Sequence, residues 1–282
     1  MGSGKLSIDR AFALPLAEVS GIALRPVSGG VELLAIGDSS HRLLRAPWGV
    51  DGPAGDFEVV DLSHGVDGAS QWEAIAADAS GRVYVLEERP GAVVVFSAAL
   101  DAVVARVALD VEHGVAVPGW TGDPNSRGEG LLVLANGHLL VVKEKEPSLF
   151  VEFGPRGDAP AGLTADLLDT SELGALPERA TFVPLAVWSL DDAGVDDVSD
   201  VAATAEGRVY LLSEDSRRIV EIALPLDRRG GEAAALRSFK LPKRAGHPEG
   251  LMIVDGSRPL VASDDKEAGE NLFLFESLPD DD

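Results

Sequence analysis

The 282-residue chain contains no cysteine, which excludes disulfides, cysteine nucleophiles and thiolate metal ligands. It has no run of 18 apolar residues, and its first residues contain no apolar core of signal-peptide length. We therefore expect no membrane-spanning segment. The location stays open, because the chain reads either as cytoplasmic or as the trimmed form of an exported protein. Aromatic residues are scarce, at 5%, whereas the 31 glycines are spread along the chain as many tight turns require.

Basic residues are also few: 24 Lys and Arg face 47 Asp and Glu, for a formal net charge of −23. Nucleic acid and anionic membranes are excluded as partners because their binding needs clustered positive charge. An acidic surface attracts cations, although the same charge is also consistent with high solubility. We expect a monomer whose ligand, if it has one, is a small molecule.

One hairpin pattern recurs five times along the chain. In the third copy, Glu129 and Gly130 lead into an apolar strand that turns at Gly137 and returns to Glu144. If Gly137 is the midpoint, Glu129 and Glu144 lie opposite each other in the ladder. We call the residue in the place of Glu129 the anchor of its copy. The copies lie near residues 18–40, 71–89, 127–145, 197–215 and 247–265, with anchors Ser20, Glu73, Glu129, Ser199 and Glu249.

The repeat predicts an all-β fold, a single β-propeller domain over residues 1–282. Each hairpin is followed by more strand-like sequence, such as residues 92–96 and 103–109, and four strands make a blade of roughly 40–50 residues. Five blades are favoured. A degenerate sixth blade remains open in the 70 residues between Glu129 and Ser199. The segment Lys5–Leu16 can supply the outer strand that the short C-terminal copy lacks, closing the ring with both termini.

The motifs resemble those of the SdiA-regulated family of bacterial propeller proteins, over about residues 15–276. The resemblance implies a β-propeller, and a cation in its axial channel; it implies no defined activity. The chain is more distantly similar to esterase-like-phytase and gluconolactonase-like propellers. It departs from the family pattern at Gln71, Ala74 and Asp200. The matching positions are Glu73, Glu87 to Arg89, Asn125, Glu129-Gly130, Lys143-Glu144, Pro147, Asp197 to Ser199, Ser213-Glu214, Ser216-Arg217 and Glu249-Gly250.

In a propeller, the first strand of each blade lines the axis, so the anchors should surround one mouth of the channel. Glu18 and Asp197, two residues before the serine anchors, can add carboxylates there. We therefore predict a divalent-cation site formed by Glu73, Glu129, Glu249, Glu18 and Asp197. Ca²⁺ is favoured because it accepts irregular sets of six to eight oxygens. Across the hairpins, the residues expected at the same mouth are Asp38, Glu88, Glu144, Glu214 and Asp264.

Two alternatives stay open for this acidic ring. Neighbouring cations can neutralise it as interblade ion pairs, or the ring can be a solvated funnel. The flanking cations are Arg89, Arg127, Lys143, Lys145 and Arg217.

Catalysis has weaker support in the sequence, so whether the chain is an enzyme is uncertain. His247 lies two residues before Glu249 and is the histidine placed to reach the mouth, where it can act as a general base beside a metal-bound water. Glu144 is the second candidate catalytic residue. Asn125, Trp120 and Arg127 are the candidate substrate contacts. The reaction, if there is one, is metal-assisted hydrolysis of a small ester, lactone or phosphoester.

The competing hypothesis is a non-catalytic binding or scaffold propeller. Its partners would bind the irregular segments Asp51–Gly68 and Gly154–Glu178, which interrupt the repeat. Propellers host both kinds of function, so the fold does not decide between them.

Overall fold

The computed structural model describes residues 2–64, 66, 68–122, 127–264 and 269–279. This part of the chain is built from β-strands, with four short 3₁₀ helices, none of them long and apolar enough to cross a membrane. The strands are β1 (Gly2–Lys5), β2 (Ile8–Phe12), β3 (Val19–Val27), β4 (Gly30–Gly37), β5 (Ser40–Gly49), β6 (Gly52–Pro53), β7 (Glu58–Asp61), β8 (Trp72–Ala77), β9 (Val83–Glu87), β10 (Ala92–Phe96), β11 (Val103–Leu109), β12 (Gly128–Val133), β13 (Leu139–Lys143), β14 (Leu149–Pro155), β15 (Arg179–Ser189), β16 (Val198–Ala203), β17 (Val209–Ser213), β18 (Arg218–Ile222), β19 (Gly231–Glu232), β20 (Ala235–Lys240), β21 (Pro248–Val254), β22 (Arg258–Ser263) and β23 (Leu272–Phe275). The 3₁₀ helices are Ala165–Leu168, Thr170–Glu172, Asp191–Ala193 and Lys243–Ala245.

The strands form five antiparallel blades, so the five-bladed propeller is confirmed. Blade 1 holds β3 to β7, blade 2 holds β8 to β11 and blade 3 holds β12 to β15. Blade 4 holds β16, β17, β18 and β20, and blade 5 holds β21 to β23. The innermost strands contact one another in the cyclic order β3, β8, β12, β16 and β21, and β21 returns to β3. This closed ring of five leaves no place for a sixth blade.

Both ends of the chain complete the ring, as predicted. Strand β2 pairs antiparallel with β23 and becomes the outer strand of blade 5. Strand β1, which the repeat pattern did not indicate, continues into blade 4 and pairs parallel with β20. The N-terminal segment therefore joins blade 4 to blade 5.

The middle strands of the blades are buried on both faces because neighbouring blades cover them. Strands β9, β10, β13 and β17 are buried along their whole length. This burial explains why their sequences are almost continuously apolar rather than alternating. The cores between blades contain large rings: Trp72 is fully buried and meets Phe96 edge-on at 6.0 Å between ring centroids.

Two parallel pairings link blades at the outer rim. Strand β11 of blade 2 pairs with β15 of blade 3, so the eight strands of the two blades form one continuous sheet. Strand β15 also pairs with the short β19, which precedes the outer strand of blade 4. These links cover strand edges that would otherwise be open to other chains.

In three blades a glycine follows the anchor, and the inner strand of a neighbouring blade lies close to it. A Cβ atom at Gly130 would lie 2.9 Å from the backbone nitrogen of Val201 in the next blade. Real Cβ atoms do not approach backbone so closely, so a side chain there must separate blades 3 and 4.

We predict that Gly130→Ala lowers the free energy of unfolding by about 1–3 kcal/mol, because its methyl group has no space between the blades. Gly174→Ala is the matched control: a Cβ there meets nothing within 4 Å, and its effect should stay within about 0.5 kcal/mol. Urea unfolding of both variants measures the difference. Equal stabilities would contradict the close approach.

Candidate functional site

Every anchor is the extra residue of a β-bulge on the innermost strand of its blade. In blade 3, Gly128 pairs with Lys143 and Gly130 with Val142, so Glu129 between them has no partner of its own. The ladder skips Ser20, Glu73, Ser199 and Glu249 in the same way. A bulge turns the side chain of its extra residue away from the regular alternation. Five equivalent bulges therefore direct the anchors toward the same mouth.

Because of the bulge, the pairing inside the hairpin differs from the predicted one. Glu144 does not lie opposite Glu129; its backbone N–H donates to the carbonyl of Arg127, at 3.1 Å. The prediction was wrong because it counted residues evenly from Gly137 and allowed for no extra residue. We call the acidic residue at the place of Glu144 in each blade the second acidic position. In the other four blades its backbone N–H also donates to the carbonyl of the residue two before the anchor. The pairs are Asp38 to Glu18, Glu88 to Gln71, Glu214 to Asp197 and Asp264 to His247.

The bulges and strand ends together form an opening that we call the acidic mouth. It encloses a cavity of about 140 Å³, and every predicted cation ligand lies around it. Each blade contributes one carboxylate from the anchor region, and four of the five second acidic positions also line the cavity. Glu88 is buried behind it and accepts the backbone N–H of Arg127 at 3.3 Å. The lining residues are Glu18, Val19, Ser20, Asp38, Glu73, Glu129, Glu144, Asp197, Ser199, Glu214, Glu249 and Asp264.

The two blades with serine anchors supply their carboxylate from a strained backbone position. Glu18 and Asp197 have φ angles of 55° and 58°, in the left-handed region that glutamate rarely occupies. Such outliers persist where the surrounding structure compensates for them, and they cluster at functional sites. The serine hydroxyls themselves hold the ring together: Ser20 Oγ donates to the Trp72 carbonyl at 2.6 Å and Ser199 Oγ to that of Pro248 at 2.7 Å.

Burial and like-charge crowding make ionisation of the mouth costly. Burial raises the pKa of Glu249 to about 9, with further contributions from Glu214 and Asp264. Burial likewise raises the pKa of Glu73 to about 7, with Glu88 and Asp38 adding to it. The pKa of Glu129 lies well above its usual range, because the residue is buried beside Glu73. The mouth therefore holds protons near neutral pH, or it needs a counter-charge.

Flanking cations partly neutralise the mouth. Lys145 Nζ bonds Glu144 Oε1 and lies 3.6 Å from Asp197 Oδ2, between blades 3 and 4. Even so, burial and the neighbouring Asp197 raise the pKa of Glu144 to about 7. Lys143 donates instead to the carbonyls of Lys145 and Pro147, and Arg217 to those of Pro242 and Gly246. Arg89 lies 4.0 Å from Glu88 Oε2, and its charge opposes the rise in the pKa of Glu73. Ion pairing thus compensates part of the ring.

The two candidate catalytic residues differ in exposure. His247 lies on the rim with its side chain 69% exposed, and its Nδ1 is bonded to Glu214 of the mouth. Glu144 lines the cavity with its side chain 13% exposed. The structure thus brings one histidine and one carboxylate to the same opening.

The predicted substrate contacts are dispersed. Trp120 is 4% exposed and packs edge-on against Phe153 at 5.6 Å, in the core of blades 2 and 3. Its indole has almost no surface for a ligand, because the loop that carries it folds inward. Arg127 lies at the mouth hairpin, where its backbone bonds Glu88 and Glu144. Asn125 lies outside the described residues.

The carboxylates surround the cavity without converging on one point. Among the described residues, no group of three Asp, Glu or His side chains is arranged to hold a metal ion directly. The chemistry of the donors fits a hard cation, since all of them offer oxygen.

The described residues of the two irregular segments have defined places in the fold. Residues 51–68 include β7, which pairs with β5 as the outermost strand of blade 1. Residues 154–178 cross to the far end of the channel, where Leu168 and Thr170 reach the axis. Their weak helical spacing corresponds to two 3₁₀ turns.

Glu249 gives the mouth a predicted pH signature in the cation-free protein. Because its folded-state pKa of about 9 exceeds the ordinary glutamate pKa of 4.5, its stabilising contribution is complete below pH ~4.5 and is lost as pH rises toward 9. Relative to wild type, Glu249→Gln should therefore lose less stability across this range, by at most about 1.4 kcal/mol per pH unit. Thermal unfolding in EDTA at pH 5 to 9 measures this, with the exposed Glu232→Gln as control. Parallel profiles for wild type and Glu249→Gln would contradict the assignment.

Comparison with known proteins identifies the fold. No family model matches the sequence, and no curated protein matches it. Among solved structures, the chain is similar to the glutaminyl cyclase of Myxococcus xanthus, with a TM-score of 0.61, 14% identity and coverage of 99% of both chains. It is also similar to the PQQ-bound aldose sugar dehydrogenase of Streptomyces coelicolor, with a TM-score of 0.51, 14% identity and coverage of 97% of this chain and 98% of that one. At such identities the likeness establishes a β-propeller and leaves the activity to the site itself.

Proposed function

We propose that the acidic mouth binds a divalent cation, Ca²⁺ in the first instance. The observation that supports this most directly is the supply of one carboxylate per blade to a single opening. In blades 1 and 4 the anchor is serine, and the carboxylate comes from Glu18 and Asp197 at positive φ. Backbone strain and like-charge repulsion both destabilise the folded state, and a bound cation would compensate for both.

The dimensions of the mouth are consistent with a partly hydrated ion. A cavity of about 140 Å³ has room for a cation and roughly three or four waters, since each water takes about 30 Å³. Ca²⁺ readily keeps waters among its oxygen ligands. The carboxylates that would hold it are Glu18, Glu73, Glu129, Asp197 and Glu249.

For an enzymatic role, hydrolysis of a small ester, lactone or phosphoester fits these residues best. A bound divalent cation would supply Lewis acidity toward the carbonyl or phosphoryl oxygen and make a nearby water more acidic. His247 would hold its Nδ1 hydrogen toward Glu214, which leaves Nε2 to accept a proton from the attacking water. Glu144, with a pKa of about 7, would return a proton to the leaving oxygen. Arg127 would orient the substrate from the edge of the mouth.

The motifs also support membership in the SdiA-regulated family, since the residues that carry the resemblance build this mouth. Glu73, Glu129 and Glu249 are anchors, and Glu144 and Glu214 are second acidic positions. A scaffold function without catalysis would rely on the rim segments. One of them, residues 154–178, is held against the channel by backbone hydrogen bonds. In one of these bonds the Ala135 N–H donates to the Leu167 carbonyl at 2.7 Å.

Calcium should stabilise the folded protein. At a free concentration of 100 times Kd, a site present only in the folded state contributes about 2.7 kcal/mol, which corresponds to a rise in Tm of about 5 °C or more. Glu129→Gln should remove most of this rise, while the exposed Glu232→Gln should keep it. Thermal unfolding in EDTA and in Ca²⁺ measures the effect. No calcium-dependent shift, with no metal found by elemental analysis, would reject the cation site.

His247 provides the test for hydrolysis. A screen of short-chain p-nitrophenyl esters, lactones and phosphoesters should identify a substrate, and on it His247→Gln should lower kcat/KM about 100-fold or more, as loss of a general base does. His113→Gln is the matched control, because that exposed histidine also bonds a carboxylate, Asp110 Oδ2 at 2.8 Å, yet does not line the mouth. An unaffected His247→Gln, or no turnover of any substrate, would reject the catalytic role.

A further inference from the structure

A second cavity lies on the same axis, directly below the acidic mouth. It measures about 130 Å³, and we call it the axial chamber. Its upper wall begins two residues past the anchors, at Ile75, Leu131 and Val201. At about 3.3 Å per residue along a strand, the chamber therefore starts roughly 7 Å below the carboxylates.

The chamber differs from the mouth in chemistry. Fourteen of its fifteen lining residues are apolar, the other is Thr170, and none is titratable. The five inner strands are sheet edges in the described topology, so their backbone N–H and C=O groups face the axis between the apolar side chains. The chamber thus combines apolar walls with backbone hydrogen-bonding groups.

The far end of the chamber is partly covered by residues 165–170, which we call the stopper. Leu168 and Thr170 contribute directly to the chamber lining. The stopper is fixed to two blades, through the Ala135 N–H to the Leu167 carbonyl at 2.7 Å and the Ala79 N–H to Thr170 Oγ1 at 3.0 Å. The stopper therefore limits how far a group bound in the chamber can extend away from the mouth.

We propose that the axial chamber binds a short alkyl or aryl group of a small molecule whose polar part remains at the acidic mouth. A cavity of this size and polarity accepts a benzene-sized group: an engineered apolar cavity of about 150 Å³ in another protein binds benzene. Because the chamber has no charged wall, a group that carries charge would lose its hydration without a partner.

The chamber deepens the proposed function by limiting the substrate. The proposal that one ligand occupies both cavities rests on the cation site of the proposed function. The proposal that the chamber binds an apolar group does not depend on that site. For a hydrolase, the geometry selects esters, lactones or phosphoesters with an apolar substituent of about six heavy atoms or fewer, because the stopper ends the available length.

The test uses benzene as the probe and variants that fill the chamber. Ala203 and Ala76 line the chamber, and replacement of either by Leu adds three carbon atoms to the space. Ala99 is exposed on a turn far from the axis, so Ala99→Leu is the matched control. Saturation-transfer NMR detects bound benzene, and thermal unfolding measures its effect, each in EDTA and in Ca²⁺.

Benzene at about ten times its Kd should raise the Tm of wild type and Ala99→Leu by about 2 °C, with or without Ca²⁺. The shift and the NMR signal should be lost in Ala203→Leu; Ala76→Leu serves if that variant does not fold. Absence of benzene binding in wild type, or equal binding in the filled variants, would overturn the proposal. If benzene raises the Tm and Ca²⁺ does not, the cation site is rejected and the chamber proposal stands. If Ca²⁺ raises the Tm and benzene does not, only the chamber proposal is rejected.

Discussion

The structure depends on how closely five sheet edges can approach one axis. At the residue after the anchor, a Cβ at Gly21 would lie 3.3 Å from the backbone nitrogen of Ile75, and one at Gly250 would lie 3.1 Å from that of Ile22. At these distances a methyl group fits only if its neighbours shift by a few tenths of an ångström. The same proximity brings the five anchors together, so the crowding of carboxylates follows from the packing of the ring.

In blade 4 the residue after the anchor is not glycine, and the close approach to the next blade is accommodated in another way. This blade has Asp200 where three other blades have glycine. The carboxylate is buried, and it accepts the N–H of Val201 and that of Leu251 in the next blade, each at 2.7 Å. Burial raises the pKa of Asp200 well above its usual range. A departure from the repeat thus becomes a hydrogen-bonded link between blades 4 and 5.

Much of the fold and most of the mouth could be predicted from the sequence because both repeat. Turn glycines with positive φ at Gly81, Gly137, Gly207 and Gly256 mark the hairpins, and strand alternation then places the acids at one end. Trp120 could not be placed, because a loop tryptophan looks the same in sequence whether it turns outward or into a core. The bulges were missed since one extra residue leaves no signal in the apolar pattern, as the pairing of Glu144 showed. The stopper was missed because it has no counterpart in the other blades.

The N-terminal strands have a consequence for the order of assembly. Strands β1 and β2 lie within the first twelve residues, but their partners β20 and β23 lie within residues 235–275. During synthesis, which proceeds from the N-terminus, blades 2 and 3 can form as their strands emerge. The segment that holds β1 and β2 finds its partners only after β20 and β23 have been synthesised. Closure of the ring, and with it completion of the acidic mouth, therefore follows the synthesis of the last two blades.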